Sequence, residues 1–170
     1  MSSRATRIRR RGEFESYGEA LEQVPEGGDV ALVTRGRPRW LLIRCPDGCG
    51  EVIPVNLDQR AGPAWRLDRR SDEWSLYPSV WRETGCESHF VVWRGRIWWG
   101  RDWEYQPRDT TLENRILGVL QKVDVPQDAV AIAHTLDAEA WVVSIACHRL
   151  VDEKRIRMSG NRAFPVFSLR

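Results

Sequence analysis

The spacing of apolar residues changes near residue 102, and this change most constrains what the chain can fold into. Before it, seven short segments are rich in β-branched and aromatic residues: DVALV (29–33), RWLLIR (39–44), EVIPVNL (51–57), AWRLDR (64–69), EWSLY (73–77), HFVVWR (89–94) and RIWW (96–99). Turn residues separate them, among them Arg35-Gly36, Asp47-Gly48, Ala61-Gly62-Pro63 and Arg94-Gly95. This pattern predicts a compact, mostly antiparallel β domain over residues 25–103. Eight of the nine tryptophans lie between Trp40 and Trp103 and mark the same unit.

Beyond a polar linker at 102–109 the period becomes helical. Thr110 or Thr111 is a candidate cap for a helix whose Leu112, Ile116, Val119 and Leu120 share a face. AVAIAHTL (129–136) predicts a second helix, and EAWVVSIACHRLV (139–151), with Asp137 as its cap, a third. IRMSGNRAFPVFSL (156–169) predicts two strands around Ser159-Gly160-Asn161. Three helices followed by a β-hairpin is the order of a winged helix-turn-helix domain, here 111–170. The expected class is therefore α+β: a small antiparallel β domain, then a winged helix. Ahead of both, residues 1–24 read as a basic arm and a short helix. Residues 1–12 hold five arginines and almost nothing apolar, which predicts disorder. Phe14, Tyr17, Leu21 and Val24 recur at helical spacing until Pro25 and Gly27-Gly28 intervene.

Charge excludes some classes. Lys and Arg total 26 and Asp and Glu 24, so the net charge of +2 fits neither a polybasic protein nor an acidic tail. No apolar run approaches the roughly 18 residues that cross a membrane. The basic start has no apolar segment behind it, so no secretory signal is expected and the expected compartment is the cytoplasm.

The reactive side chains concentrate in two turns. Cys45 and Cys49 lie in CPDGCG; Cys86 and His89 lie in GCESHF. Three thiols and an imidazole near flexible glycines (Gly48, Gly50, Gly85) suit Zn²⁺ in a closed site. Cys45, Cys49 and Cys86 are the expected ligands, which makes the expected β domain a zinc-stabilised one. Cys147, on the apolar face of the third helix, is expected to be a small core residue.

The strings RPRWLLIRCPDGCGEVIPVNLDQRAGPAWRL and SLYPSVWRETGCESHFVVWRGRIWW resemble a bacterial zinc-binding domain family of unknown function. The family's marks are a Cys-Pro-x-Gly-Cys-Gly turn, a Pro-Ser-Val step and a Cys-x-Ser-His-Phe segment, and they cover about residues 25–100 here. The resemblance implies an association with bacterial ubiquitin-like proteins and their activating and conjugating enzymes. Many members carry a third cysteine in the first turn, where this chain has Asp47. Either Asp47 or His89 then completes the metal site.

If Asp47 does, His89 is available as a base. Ser79, in a separate turn at Pro78-Ser79-Val80, is the better nucleophile, because Ser88 is adjacent to His89 and on a strand would face the other way. Asp47, Glu83 and Glu87 are candidates to orient the base. With the resemblance, the expectation is a serine-type, deubiquitinase-like peptidase that processes or removes a ubiquitin-like protein. Two alternatives stand beside it: a non-catalytic zinc-binding adaptor of the same pathway, and a winged-helix DNA-binding regulator that would use Arg155, Arg157 and Arg162. On the third helix, Trp141, Ser144, Ile145, His148 and Arg149 are expected to face outward, which favours a protein partner over nucleic acid.

Overall fold

The computed structural model describes residues 4–100, 107–160 and 164–170. The chain divides into two compact units, residues 1–102 and 103–170. It is an α+β protein with mostly antiparallel sheets and several helices. No single helix among the described residues is long and apolar enough to cross a membrane.

The first unit holds two four-stranded sheets. One has the order β1-β2-β3-β4, from β1 (Arg9–Phe14), β2 (Asp29–Thr34), β3 (Pro38–Arg44) and β4 (Val52–Asn56). The other has the order β5-β6-β7-β8, from β5 (Arg66–Asp68), β6 (Ser75–Trp81), β7 (His89–Trp93) and β8 (Arg96–Trp99). Alternation decides how they pack. Val30, Leu32, Leu41, Ile43 and Val55 from the first sheet share a buried cluster with Trp74, Leu76, Val80, Phe90, Val92 and Ile97. The intervening residues Ala31, Val33 and Leu42 point to the opposite face, where Ala20 and Val24, from and just beyond helix α1 (Tyr17–Glu22), cover them. Strand β2 is thus buried on both faces, which is why it reads as an unbroken apolar run. Each large side chain so buried contributes about 1.5–3 kcal/mol.

The basic start differs from its expectation. Arg9–Phe14 is a strand that runs parallel to β2, and Ala5, Thr6 and Ile8 bond to the backbone of Pro46, Ile97 and Gly95. A carboxylate ties this segment down. Asp29, fully buried, accepts from Arg9 (2.8 Å), from Arg11 and from the amide of Glu26 (2.9 Å). Burial alone would raise its pKa; the Arg11, Glu26 amide and Arg9 bonds outweigh burial and hold it below the usual carboxylate range. Composition alone predicts disorder for such an arm, because it cannot register an acid some 20 residues away. Helix α1 also starts later than its pattern suggests: Phe14 belongs to β1, and Ser16 caps the helix by accepting from the Glu19 amide.

In the second unit, helix α2 (Thr110–Leu120) is capped by Asp109, not by a threonine, and buries Leu112, Ile116 and Leu120. Helix α3 (Ala129–Leu136) is capped by Asp128. Asp137 ends α3 in a left-handed conformation and does not cap α4 (Ala140–Asp152), whose N-cap is Glu139. Strands β10 (Ile156–Gly160) and β11 (Pro165–Leu169) pair antiparallel, and the two-residue β9 (Gln127–Asp128) joins the far side of β11. Trp141 and Ser144 are buried, contrary to the outward face expected of them; with α2, α3 and the hairpin around it, α4 is covered on more than one side. Cys147 is a core residue, and burial pushes its thiol up to about 12.

Candidate functional site

Two groups of side chains flank the turn that joins β6 to β7. The first is a thiol cluster. Cys45 closes β3 in a tight turn, with the Gly48 amide bonded to its carbonyl at 3.1 Å. Gly48 (φ 90°) and Gly50 (φ 84°) adopt left-handed conformations that let Cys49 turn back toward Cys45. Cys86 arrives from the β6–β7 turn, after Gly85 (φ 77°). The three sulfurs lie within 4.8 Å of one another, with Cys45 Sγ 3.6 Å from Cys86 Sγ. Thiolates at about 2.3 Å from a tetrahedral zinc stand about 3.8 Å apart, so the spacing fits a metal.

Ser88 is buried inside this cluster, its Oγ 3.4 Å from both Cys45 Sγ and Cys86 Sγ. Arg82 donates to Cys49 Sγ at 3.4 Å and reaches Cys86 Sγ at 3.8 Å. Burial pushes the Cys45 thiol up to about 11. Burial acts the same way on Cys86, but the hydroxyl and amide of Ser88, with the neighbouring cysteines, outweigh it and bring that thiol down to about 7. A cation beside the Cys86 sulfur is the electrostatic setting in which a thiolate persists.

The second group is a serine and a histidine. Ser79 lies on β6 and not in a turn; the β6–β7 register shifts between Leu76 and Val80, and Ser79 sits within that irregularity. Val80 points into the core, so Ser79 and Trp81 on either side of it point away. His89 opens β7 opposite Trp81, and its Nε2 is 3.1 Å from Ser79 Oγ. That distance is within the 2.6–3.2 Å a nucleophile and base require. The backbone of Ser79 is held as well: its carbonyl accepts from Trp65 Nε1 at 3.1 Å.

The alternatives left open by the sequence separate in space. Among the described residues the close group of potential ligands is Cys45, Cys49 and Cys86, without Asp47 or His89. Asp47 is paired with Arg4 at 2.9 Å, and His89 Nε2 faces Ser79. Glu83 and Glu87 are exposed and form no hydrogen bond or ion pair among the described residues, so neither orients the imidazole.

Three neighbours went unnoticed in the sequence. Arg82 hides among 24 arginines. Trp65 hides in a tryptophan-rich segment whose rings look alike until their N–H partners are known. Gly100, just past β8, lies so close to the imidazole that a Cβ there would meet His89 Nδ1 at 3.2 Å and its Cβ and Cγ at 3.3 Å. A glycine following a strand was the only available sign.

Residues 17–100, which span both groups, match the family model described as bacterial ubiquitination-like system serine protease (BubE). This segment is similar to the BubE family. No curated protein and no solved structure matches the chain. The BubE description supports a peptidase role in a bacterial ubiquitination-like system. The matched segment ends at Gly100, so the helices and hairpin of the second unit lie outside it.

Proposed function

We propose that the BubE-like domain is a cytoplasmic serine-type peptidase that cleaves after the C-terminus of a ubiquitin-like protein, in its precursor or its conjugates. The observation that carries this reading is the 3.1 Å contact between Ser79 Oγ and His89 Nε2 within a domain matched to a serine-protease family. In this mechanism His89 Nε2 takes the hydroxyl proton as Ser79 Oγ attacks the scissile carbonyl. The imidazolium returns that proton to the leaving amine as the peptide or isopeptide bond breaks. Water then hydrolyses the acyl-serine, with the same nitrogen as base. For Nε2 to accept, the neutral ring carries its proton on Nδ1, the side that faces Gly100.

Zinc is the metal this reading assigns to Cys45, Cys49 and Cys86, since three thiolates form a soft donor set. It would supply structural cross-linking between the β3–β4 turn and the β6–β7 turn. Asp47, two residues from each of Cys45 and Cys49, is assigned the fourth position after leaving Arg4. His89 is not, because its Nε2 is engaged with Ser79.

The second unit is read as a winged helix, from three helices and a hairpin that pairs back to β9. The burial of Trp141 removes the argument that α4 presents it to a protein. Arg157 is exposed on β10 and Arg155 lies near Glu153, while Arg162 lies outside the described residues. A gel shift with mixed duplex DNA at two salt concentrations tests a nucleic-acid role; binding lost in Arg157→Ala would support one.

The activity test incubates the protein with the ubiquitin-like protein of its own gene cluster, fused at the C-terminus to a reporter. Ser79→Ala and His89→Ala should each abolish cleavage. Undiminished cleavage by Ser79→Ala removes the proposed nucleophile. No cleavage by the wild type, with tight binding to the conjugation proteins, leaves the adaptor as the better account.

A further inference from the structure

The geometry points to Trp81 as the residue that receives the substrate chain beside the scissile bond, an inference that rests on the Ser79–His89 reading. Among the tryptophans of the first unit, Trp74 and Trp93 are buried, and Trp98 and Trp99 are partly buried. Trp81 is 63% exposed. An indole left this open loses the burial energy that the ring would gain elsewhere in the fold, and at recognition surfaces such rings are recurrent anchors.

Its position makes it an anchor for this site in particular. Trp81 shares the outward face of β6 with Ser79, two residues away, and pairs with His89 across the strands. Its ring stacks on the imidazole with centroids 5.5 Å apart and planes 30° apart. A carbonyl within reach of Ser79 Oγ therefore belongs to a chain that passes beside the indole. The ring offers an apolar wall to that chain's backbone and no charge. The next residue, Arg82, turns toward the sulfurs of Cys49 and Cys86 and so is not presented to a substrate carboxylate. The recognised substrate is thus an extended peptide segment, held by apolar contact with the indole.

The test measures binding apart from chemistry. The probe is the ubiquitin-like protein with its C-terminal reporter fusion, titrated against Ser79→Ala protein, which cannot turn it over. Adding Trp81→Ala should weaken binding about tenfold, the usual effect of removing an aromatic anchor, and Trp81→Phe should restore most of it. A small fluorophosphonate needs only the serine and its base, so in the single Trp81→Ala variant its labelling of Ser79 should slow far less than cleavage of the fusion does. Unchanged binding in the double variant would overturn the proposal. So would labelling that falls in parallel with cleavage, since Trp81 would then act through His89 as a positioning residue. Binding that depends on Trp81 in a protein whose Ser79 is never labelled would uphold the platform while overturning Ser79 as nucleophile.

Discussion

The two ends of the β6–β7 turn carry similar atoms and opposite designs. Ser88 and Ser79 are both serines with polar partners, but Ser88 is buried with its hydroxyl against two sulfurs, while Ser79 is half-exposed with its hydroxyl against an imidazole. Cys45 is buried and joins elements far apart in sequence; His89 is half-exposed beside a tryptophan open to solvent. The cluster has the buried, convergent geometry that stabilises a small domain with little core to spare. The pair has the accessible geometry that reaction needs. Placing them on one turn means that whatever fixes Cys86 also fixes the start of β7, and so His89.

Separation of the two roles gives the largest expected effect. Ser79→Ala should lower cleavage by at least about 10³-fold, comparable to loss of a nucleophile in other hydrolases, with bound zinc and melting temperature unchanged. Cys45→Ser should do the reverse in kind: metal is lost, and the first unit is destabilised by more than about 3 kcal/mol, a fraction of what structural zinc contributes. Metal analysis beside thermal melts checks both, and a Cys45→Ser protein that keeps its zinc and stability would erase the distinction.

Asp29 sharpens it, as a stabilising group remote in sequence from both sites. Asp29→Asn should cost about 3 kcal/mol at neutral pH by leaving Arg9 and Arg11 without their buried partner. Because its folded pKa is depressed, its contribution is complete above the unfolded carboxylate value of about 3.9 and disappears as pH falls through the lower folded value. Denaturant titrations of both proteins should therefore converge in acid, with zinc content equal throughout. The smallest effect expected is in Gly100→Ala. Its methyl would press on the imidazole, and cleavage should fall about tenfold, roughly 1.4 kcal/mol, with no loss of metal. Full activity there would show that His89 tolerates displacement.

Much of this was legible in the sequence because it is local. Apolar runs with β-branched and aromatic residues, DVALV and RWLLIR, marked β2 and β3, the three helices lay where their periods put them, and glycine-flanked cysteines announced their convergence. What the sequence could not show depends on partners distant in the chain. Asp29 turns an arginine-rich arm into a strand, and the register irregularity in β6 puts Ser79 on a strand where Pro78 suggested a turn. The contacts of Asp47 with Arg4 and of His89 with Ser79 were hidden for the same reason, since each partner lies elsewhere in the chain.

The central claim is that Ser79 is an activated nucleophile beside a separate structural metal site. Fluorophosphonate treatment of the zinc-replete full-length protein, followed by peptide mass mapping, tests it most directly. The account predicts a single adduct on Ser79, strongly slowed by His89→Ala in protein that retains zinc. An adduct on another residue, or labelling of Ser79 that is indifferent to His89, would contradict it.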